Sequence, residues 1–158
     1  MNIRLIICKI SESVAKTMSN QEIILKLPYS KPFLFVDKII NINENEVEGC
    51  YTFSEDLDFY KGHFKHNPIT PGVILIETMA QIGLVCLGIY LMKDESKSFN
   101  FALTSSEIEF LKPVFPNEKV TVFSEKVYFR FGKLKCKVKM LNAKNEEVCS
   151  GTISGMVI

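Results

Sequence analysis

The run from Gly72 to Met92 constrains this chain more than any other segment. Apolar residues recur on every side of a helical wheel there, with Glu77, Thr78 and Gln81 as polar exceptions near its start. A helix that is hydrophobic all round has to be surrounded. Its length also suits a membrane span. The polar exceptions, and strand-like segments on both sides, favour a helix enclosed by a sheet of its own domain.

The enclosing sheet is legible in the flanks. Residues 133–140 alternate Lys with Leu, Cys, Val and Met, which reads as a half-buried antiparallel strand with four lysines on its wet face. Further strands are expected at 33–42, 47–53, 101–110, 119–131 and 147–157, with turns at 43–45, 131–133 and 142–145. Ser19 and Glu22 form a capping-box pattern that opens a short helix, and Pro28 stops it. The order is strand, strand, long helix, four strands. It predicts an α+β fold with a long antiparallel sheet curling round one helix. Residues 1–18 form a prefix of uncertain structure, Met18 being a second candidate start, and 19–158 is expected to be a single domain.

Composition removes several classes of function. Net charge is +1, and phosphate-backbone binding needs a strong basic excess, so nucleic acid is not the expected partner. The five cysteines are scattered and show no CxxC pair or metal spacing, so they read as buried thiols in a reducing cytosol. The apolar run 5–8 is too short for a signal peptide, and Lys9 interrupts it. Twelve Phe and no Trp suggest a Phe-built core with room for an apolar ligand tunnel.

The chemistry concentrates in 62–77. The long loop 54–72 holds Gly62, His63, Pro68, Pro71 and Gly72, and loops of that length in a compact domain are usually functional. Pro71-Gly72 opens the long helix. The first N–H groups of a helix lack internal partners, so they can hold a carbonyl oxygen as negative charge builds on it. Glu77 lies about 7.5 Å further along the axis, and Gln81 one turn beyond on the same face. Burial of an unpaired Glu favours its protonated form, which suits a general acid; the plain alternative is a structural Glu satisfied by backbone or by an Arg. His63 is the favoured imidazole, because His66 sits in a polar Lys-His-Asn context. A His and a Glu suffice to take a proton from one carbon and protonate a hydroxyl leaving the next.

These segments resemble the 3-hydroxyacyl-[acyl-carrier-protein] dehydratases of the FabZ/FabA type. The resemblance rests on Leu27-Pro28-Tyr29-Ser30-Lys31-Pro32-Phe33-Leu34-Phe35-Val36-Asp37, on Gly62-His63-Phe64 with Pro68-Ile69-Thr70-Pro71-Gly72-Val73 and Glu77-Thr78-Met79-Ala80-Gln81, and on Phe101-Ala102 with Phe110-Leu111-Lys112-Pro113-Val114-Phe115-Pro116. It covers about residues 20–158. It implies a hotdog fold and a homodimer with shared sites, sometimes a trimer of dimers. It implies His63 as base, Glu77 as acid, and the Gly72 N–H on the thioester oxygen. The product is a trans-2-enoyl thioester. No metal or redox cofactor is implied; the acyl chain arrives on the phosphopantetheine of an acyl carrier protein, through a tunnel lined by Phe64, Val73, Ile74, Gln81 and Phe99 or Phe101. A cytoplasmic protein is expected.

Three departures from the family pattern stand out. Lys65-His66 replaces Pro-Gly after His-Phe, Tyr29 replaces a His, and Leu103-Thr104-Ser105-Ser106 stands where Asp is common. They leave the His–Glu pair intact and point to a specialised acyl or aryl-polyene substrate. The rival readings are a hotdog thioesterase and a non-catalytic acyl-binding protein. The four-lysine face is either a solvated strand protected against edge pairing or a docking surface for an acidic carrier.

Overall fold

A computed structural model describes residues 18–94 and 96–158. The prefix lies outside the described residues except for Met18, which packs into the core at 8 % exposure. Helix α1, Asn20–Leu25, begins at Ser19: its hydroxyl accepts from the Glu22 N–H while the Glu22 carboxylate accepts from the Ser19 N–H, as the capping box requires.

Six antiparallel strands form one sheet. They are β1 (Lys38–Ile42), β2 (Glu46–Thr52), β3 (Phe101–Phe110), β4 (Lys119–Arg130), β5 (Lys133–Asn142) and β6 (Glu147–Val157), in the spatial order β1-β2-β4-β5-β6-β3. The helix Gly72–Met92 crosses the concave face, and 72 % of its most apolar window is buried, so the sheet and not a lipid layer covers it. Ile82 abuts Gly49 of β2, Gly83 abuts Ser124 of β4 and Val138 of β5, and Leu84 abuts Gly155 of β6. A Cβ on Gly83 would stand 2.9 Å from that of Ser124, whose hydroxyl donates to the Gly83 carbonyl at 2.7 Å. Residues Gln81–Cys86 run as a π-helical segment within the longer helix. The long helix wrapped by one antiparallel sheet is the expected hotdog arrangement.

Two expectations change. The strand foreseen at 33–42 begins only at Lys38. Phe33 and Phe35 give their backbone groups to a side chain instead of a neighbouring strand: the Phe33 carbonyl accepts from Gln81 Nε2 at 2.9 Å, and the Phe35 N–H donates to Gln81 Oε1 at 2.8 Å. The lysine strand β5 lies inside the sheet, between β4 and β6, so its lysines do not guard an edge. Its alternation holds: Leu134, Cys136, Val138 and Met140 are all buried.

The described cysteines, Cys50, Cys86, Cys136 and Cys149, are free and buried. Burial pushes the Cys86 and Cys149 thiols up to about 12 and Cys136 to about 11. Thiols held protonated in this way are structural and not nucleophilic. Cys8 lies outside the described residues.

Candidate active site

The loop ahead of the central helix is tied down at both ends of its His. The His63 N–H donates to the Phe59 carbonyl at 2.9 Å, the Ile69 N–H returns to the His63 carbonyl at 2.9 Å, and the Thr70 N–H donates to the Val114 carbonyl at 2.8 Å. The buried hydroxyls of Tyr60 and Thr70 are hydrogen-bonded to each other. The His63 ring is fixed as well. Its Nδ1 lies 2.8 Å from the Ile69 carbonyl oxygen, which can only accept, so Nδ1 carries the proton. In the neutral ring the lone pair is then on Nε2. Phe64 stacks on His63 with centroids 4.1 Å apart, and is itself 57 % exposed. His66 is exposed and makes no hydrogen bond among the described residues.

His63 opens onto a cleft of about 370 Å³ whose lining includes Thr70, Gly72, Leu75, Phe110 and Lys112. Gly72 starts the central helix behind Pro71, and no side chain caps it. The N–H groups of Ile74 and Leu75 donate to the Pro71 carbonyl, while those of Gly72 and Val73 have no acceptor among the described residues. Two free helix N–H groups beside an imidazole base suit an anionic oxygen. Gly72 is also packed: a Cβ there would stand 3.1 Å from the Phe110 ring.

Glu77 looks elsewhere. At about 100° per residue it lies roughly 140° round the helix from Gly72 and 160° from Leu75, the two helix residues that line the His63 cleft. One chain therefore does not aim His63 and Glu77 into a common space. Around Glu77, Val73 is 71 % exposed and Ile74 and Ile76 are partly so, which makes this an apolar face left uncovered by the described residues. The buried, unpaired Glu expected from the sequence is corrected on both counts. Glu77 is only half-buried, and its Oε1 accepts from Gln81 Nε2 at 2.9 Å.

Gln81, expected in the tunnel wall, has no exposed surface and a different task. Its oxygen accepts from Phe35, one of its N–H groups goes to the Phe33 carbonyl, and the other to Glu77. The orientation of the amide is thus fixed, and it can only donate to Glu77. It joins two motif segments, 27–37 and 72–81, at the carboxylate. Tyr29 stands close enough to feel that carboxylate: burial first, and then the charges of Glu77 and Cys86, push its hydroxyl up to about 12, so it remains a neutral phenol.

The remaining tunnel residues divide. Val73 and Ile74 lie in the first turn of the central helix, and Phe64 stacks on His63 in the loop before it. Phe101 is packed on Gly88, and Phe99 sits just ahead of it in the chain. Gly88 lies roughly 24 Å along the helix from Gly72. In their own chain these two residues therefore do not line the His63 cleft; Phe110, Leu111, Lys112 and Pro113 do. The sequence signal for those four was present in the third motif segment.

Comparison with known proteins bears on this site. The sequence model of the FabA-like domain matches residues 27–152. A "3-hydroxyacyl-[acyl-carrier-protein] dehydratase FabZ" of Caldicellulosiruptor bescii is 34 % identical over 141 residues, covering 86 % of this chain and 96 % of the relative. A protein of the same name from Ehrlichia ruminantium is 40 % identical over 109 residues, or 65 % of this chain and 71 % of the relative. Among solved structures, the dehydratase heterocomplex ApeI:P of Xenorhabdus doucetiae superimposes with a TM-score of 0.72 at 15 % identity, over 86 % of this chain and 90 % of that one. A hypothetical thioesterase of Streptococcus pneumoniae with coenzyme A gives 0.59 at 18 % identity, over 76 % and 84 %. The structural likenesses carry the fold alone.

Proposed function

The chain belongs to the FabA-like family, and from that membership we propose that it is a 3-hydroxyacyl-[acyl-carrier-protein] dehydratase, a hydro-lyase of fatty acid synthesis. Its substrate is a 3-hydroxyacyl thioester on the phosphopantetheine of an acyl carrier protein, and it needs no further cofactor. It works in the cytoplasm.

The observation that carries the mechanism is the His63 ring, locked by Nδ1 onto Ile69 and lying in one cleft with the free N–H of Gly72. The thioester oxygen accepts from Gly72, and negative charge moves onto it as Nε2 of His63 removes the proton from the α-carbon. The electron pair then forms the α–β double bond, and the C–O bond at the β-carbon breaks. Glu77 gives its proton to the departing hydroxyl, which leaves as water. His63 ends protonated and Glu77 ionised, and proton exchange with solvent restores both. Gln81 keeps one oxygen of Glu77 engaged, so the other faces the substrate.

Because one chain aims the two groups apart, the working site uses His63 of one chain and Glu77 of another. The exposed apolar face around Glu77 supports pairing into a homodimer, from which a trimer of dimers can be built. Lys65-His66, Tyr29 and the run 103–106 reshape the surroundings of the pair and support a specialised, polyene-type acyl substrate.

The test is to offer 3-hydroxyacyl carrier and follow both products. Enoyl thioester with water is the expected outcome. Free thiol would make the protein a thioesterase, and binding without either product would make it an acyl-binding protein.

A further inference from the structure

The loop that carries His63 is anchored by a buried pair of hydroxyls. Tyr60, in the short helical turn Asp58–Lys61 before the histidine, is 7 % exposed. Thr70, on the limb that returns to the central helix, is 3 % exposed. Their hydroxyls bond each other, and neither has a further partner among the described residues. Burial raises the Tyr60 hydroxyl above its ordinary 10.0, so it remains a neutral phenol able to donate. Between the two anchors the loop tip is wet: residues 64–68 are all exposed, and reciprocal backbone bonds of 3.2 Å between Phe64 and Asn67 close it.

A pair of this kind is a poor source of stability. Each hydroxyl gives up water on burial and recovers one bond, and two apolar side chains of the same shape would hold the limbs about as well. What an apolar pair lacks is direction, because a hydrogen bond constrains angle as well as distance.

The direction matters because of the peptide group that joins Ile69 to Thr70. Its carbonyl lies 2.8 Å from His63 Nδ1, and its N–H donates to the Val114 carbonyl at 2.8 Å. Hydrogen bonds at the two ends of one amide polarise each other. The imidazole is therefore held by a peptide whose plane is set through Thr70, by Val114 on the main chain and by Tyr60 on the side chain. A rotation of that peptide would take the acceptor away from Nδ1. The ring could then carry its proton on Nε2, with no lone pair there for the α-carbon proton.

We propose that Tyr60 and Thr70 are positioning residues of the reaction: their shared hydrogen bond holds the Ile69 carbonyl on His63 Nδ1 and so keeps the lone pair on Nε2. This rests on the dehydratase reading above. Thr70 lines the His63 cleft, and its effect is exerted through the His63 ring.

Tyr60→Phe combined with Thr70→Val tests this, because it removes both hydroxyls and keeps the shapes. The melting temperature should stay near that of the wild type. On a 3-hydroxyacyl chain carried by acyl carrier protein, kcat should fall about tenfold with KM little changed, since the loss is in the aim of the base. Thr70→Ser alone, which keeps a hydroxyl, should retain kcat close to that of the wild type. A second readout needs no turnover: nitrogen NMR of the neutral His63 ring in a His66→Gln background, where it is the one imidazole left. With the pair intact the ring should be in the Nδ1–H form, and in the double variant a mixture of both tautomers. An unchanged tautomer in the double variant overturns the proposal. So does unchanged kcat, or a rise in KM with kcat intact. Tyr60→Phe alone decides the same questions if the double variant does not fold. If the wild type dehydrates nothing, the assigned activity fails, and the ring spectrum still decides whether the pair positions His63.

Discussion

The two halves of the site differ in how far one chain completes them. On the His63 side the loop, the ring tautomer, the helix N–H groups and the cleft wall are all set by contacts within the chain. On the Glu77 side the carboxylate is held by Gln81 but lies on an apolar face that nothing among the described residues covers. The difference marks the half at which the proposed second copy acts. A base has to be preorganised before substrate arrives, and local hydrogen bonds achieve that. An acid facing the same substrate from the opposite side has to come from another element, and in the proposed shared site that element belongs to another chain.

The largest effects should come from the pair itself. His63→Ala and Glu77→Gln are each expected to lower kcat by about a hundredfold or more while leaving the melting temperature near that of the wild type. Near-normal turnover in either variant removes that residue from the chemistry. Because His63 has to be neutral and Glu77 protonated, activity should fall on both sides of an optimum pH. A flat profile would break the acid–base assignment.

Gln81→Leu sharpens the comparison, because it acts on the Glu77 half alone. It leaves the Phe33 carbonyl and Phe35 N–H without their partner, at a cost of about 1–3 kcal/mol for each buried group left unmade. The melting temperature should drop by several degrees. Turnover should fall about tenfold with KM little changed, since the loss is in how Glu77 is held and not in acyl binding. If stability drops and kcat is unchanged, Gln81 is only a structural clamp.

A smaller effect concerns alkaline stability. Tyr29 is raised from 10.0 to about 12 and Cys86 from 9.0 to about 12, both mainly by burial. The unfolded chain ionises first, so these groups contribute stability that is complete below about pH 9 and is lost as pH rises toward 12. Urea midpoints should fall through that window, less steeply in Tyr29→Phe. An identical slope in the variant would contradict the buried phenol. Thiol reagents should label Cys86 and Cys149 only on unfolding.

The sequence made the central helix legible because its apolar residues surround the whole wheel, and β5 because a period of two leaves no other reading. Residues 33–37 were not, since Phe, Leu and Val there look like strand. Only the fold shows that their backbone groups are taken by a glutamine 46 and 48 residues away. Gln81 itself carries no periodic signal, so its clamp was invisible and its placement in the tunnel was an inference from neighbourhood. The separation of Phe99 and Phe101 from the His63 cleft of their own chain was hidden for a different reason. The strand β3 runs along much of the helix, so its two ends meet Gly88 and Gly72 respectively, and sequence proximity to the motif says nothing about which end is at the site. His63 and Glu77 were found from residue chemistry and resemblance, but their opposed directions needed the helix.

The most direct test of the shared site is complementation. Chains carrying His63→Ala are mixed with chains carrying Glu77→Gln by unfolding and refolding together, and dimer formation is verified. Random pairing makes half the dimers mixed, and each mixed dimer holds one intact site and one doubly broken one, so activity should return to roughly a quarter of wild type. If mixed dimers form and no activity returns, each chain carries its own complete pair, and the division of the site between two copies is wrong.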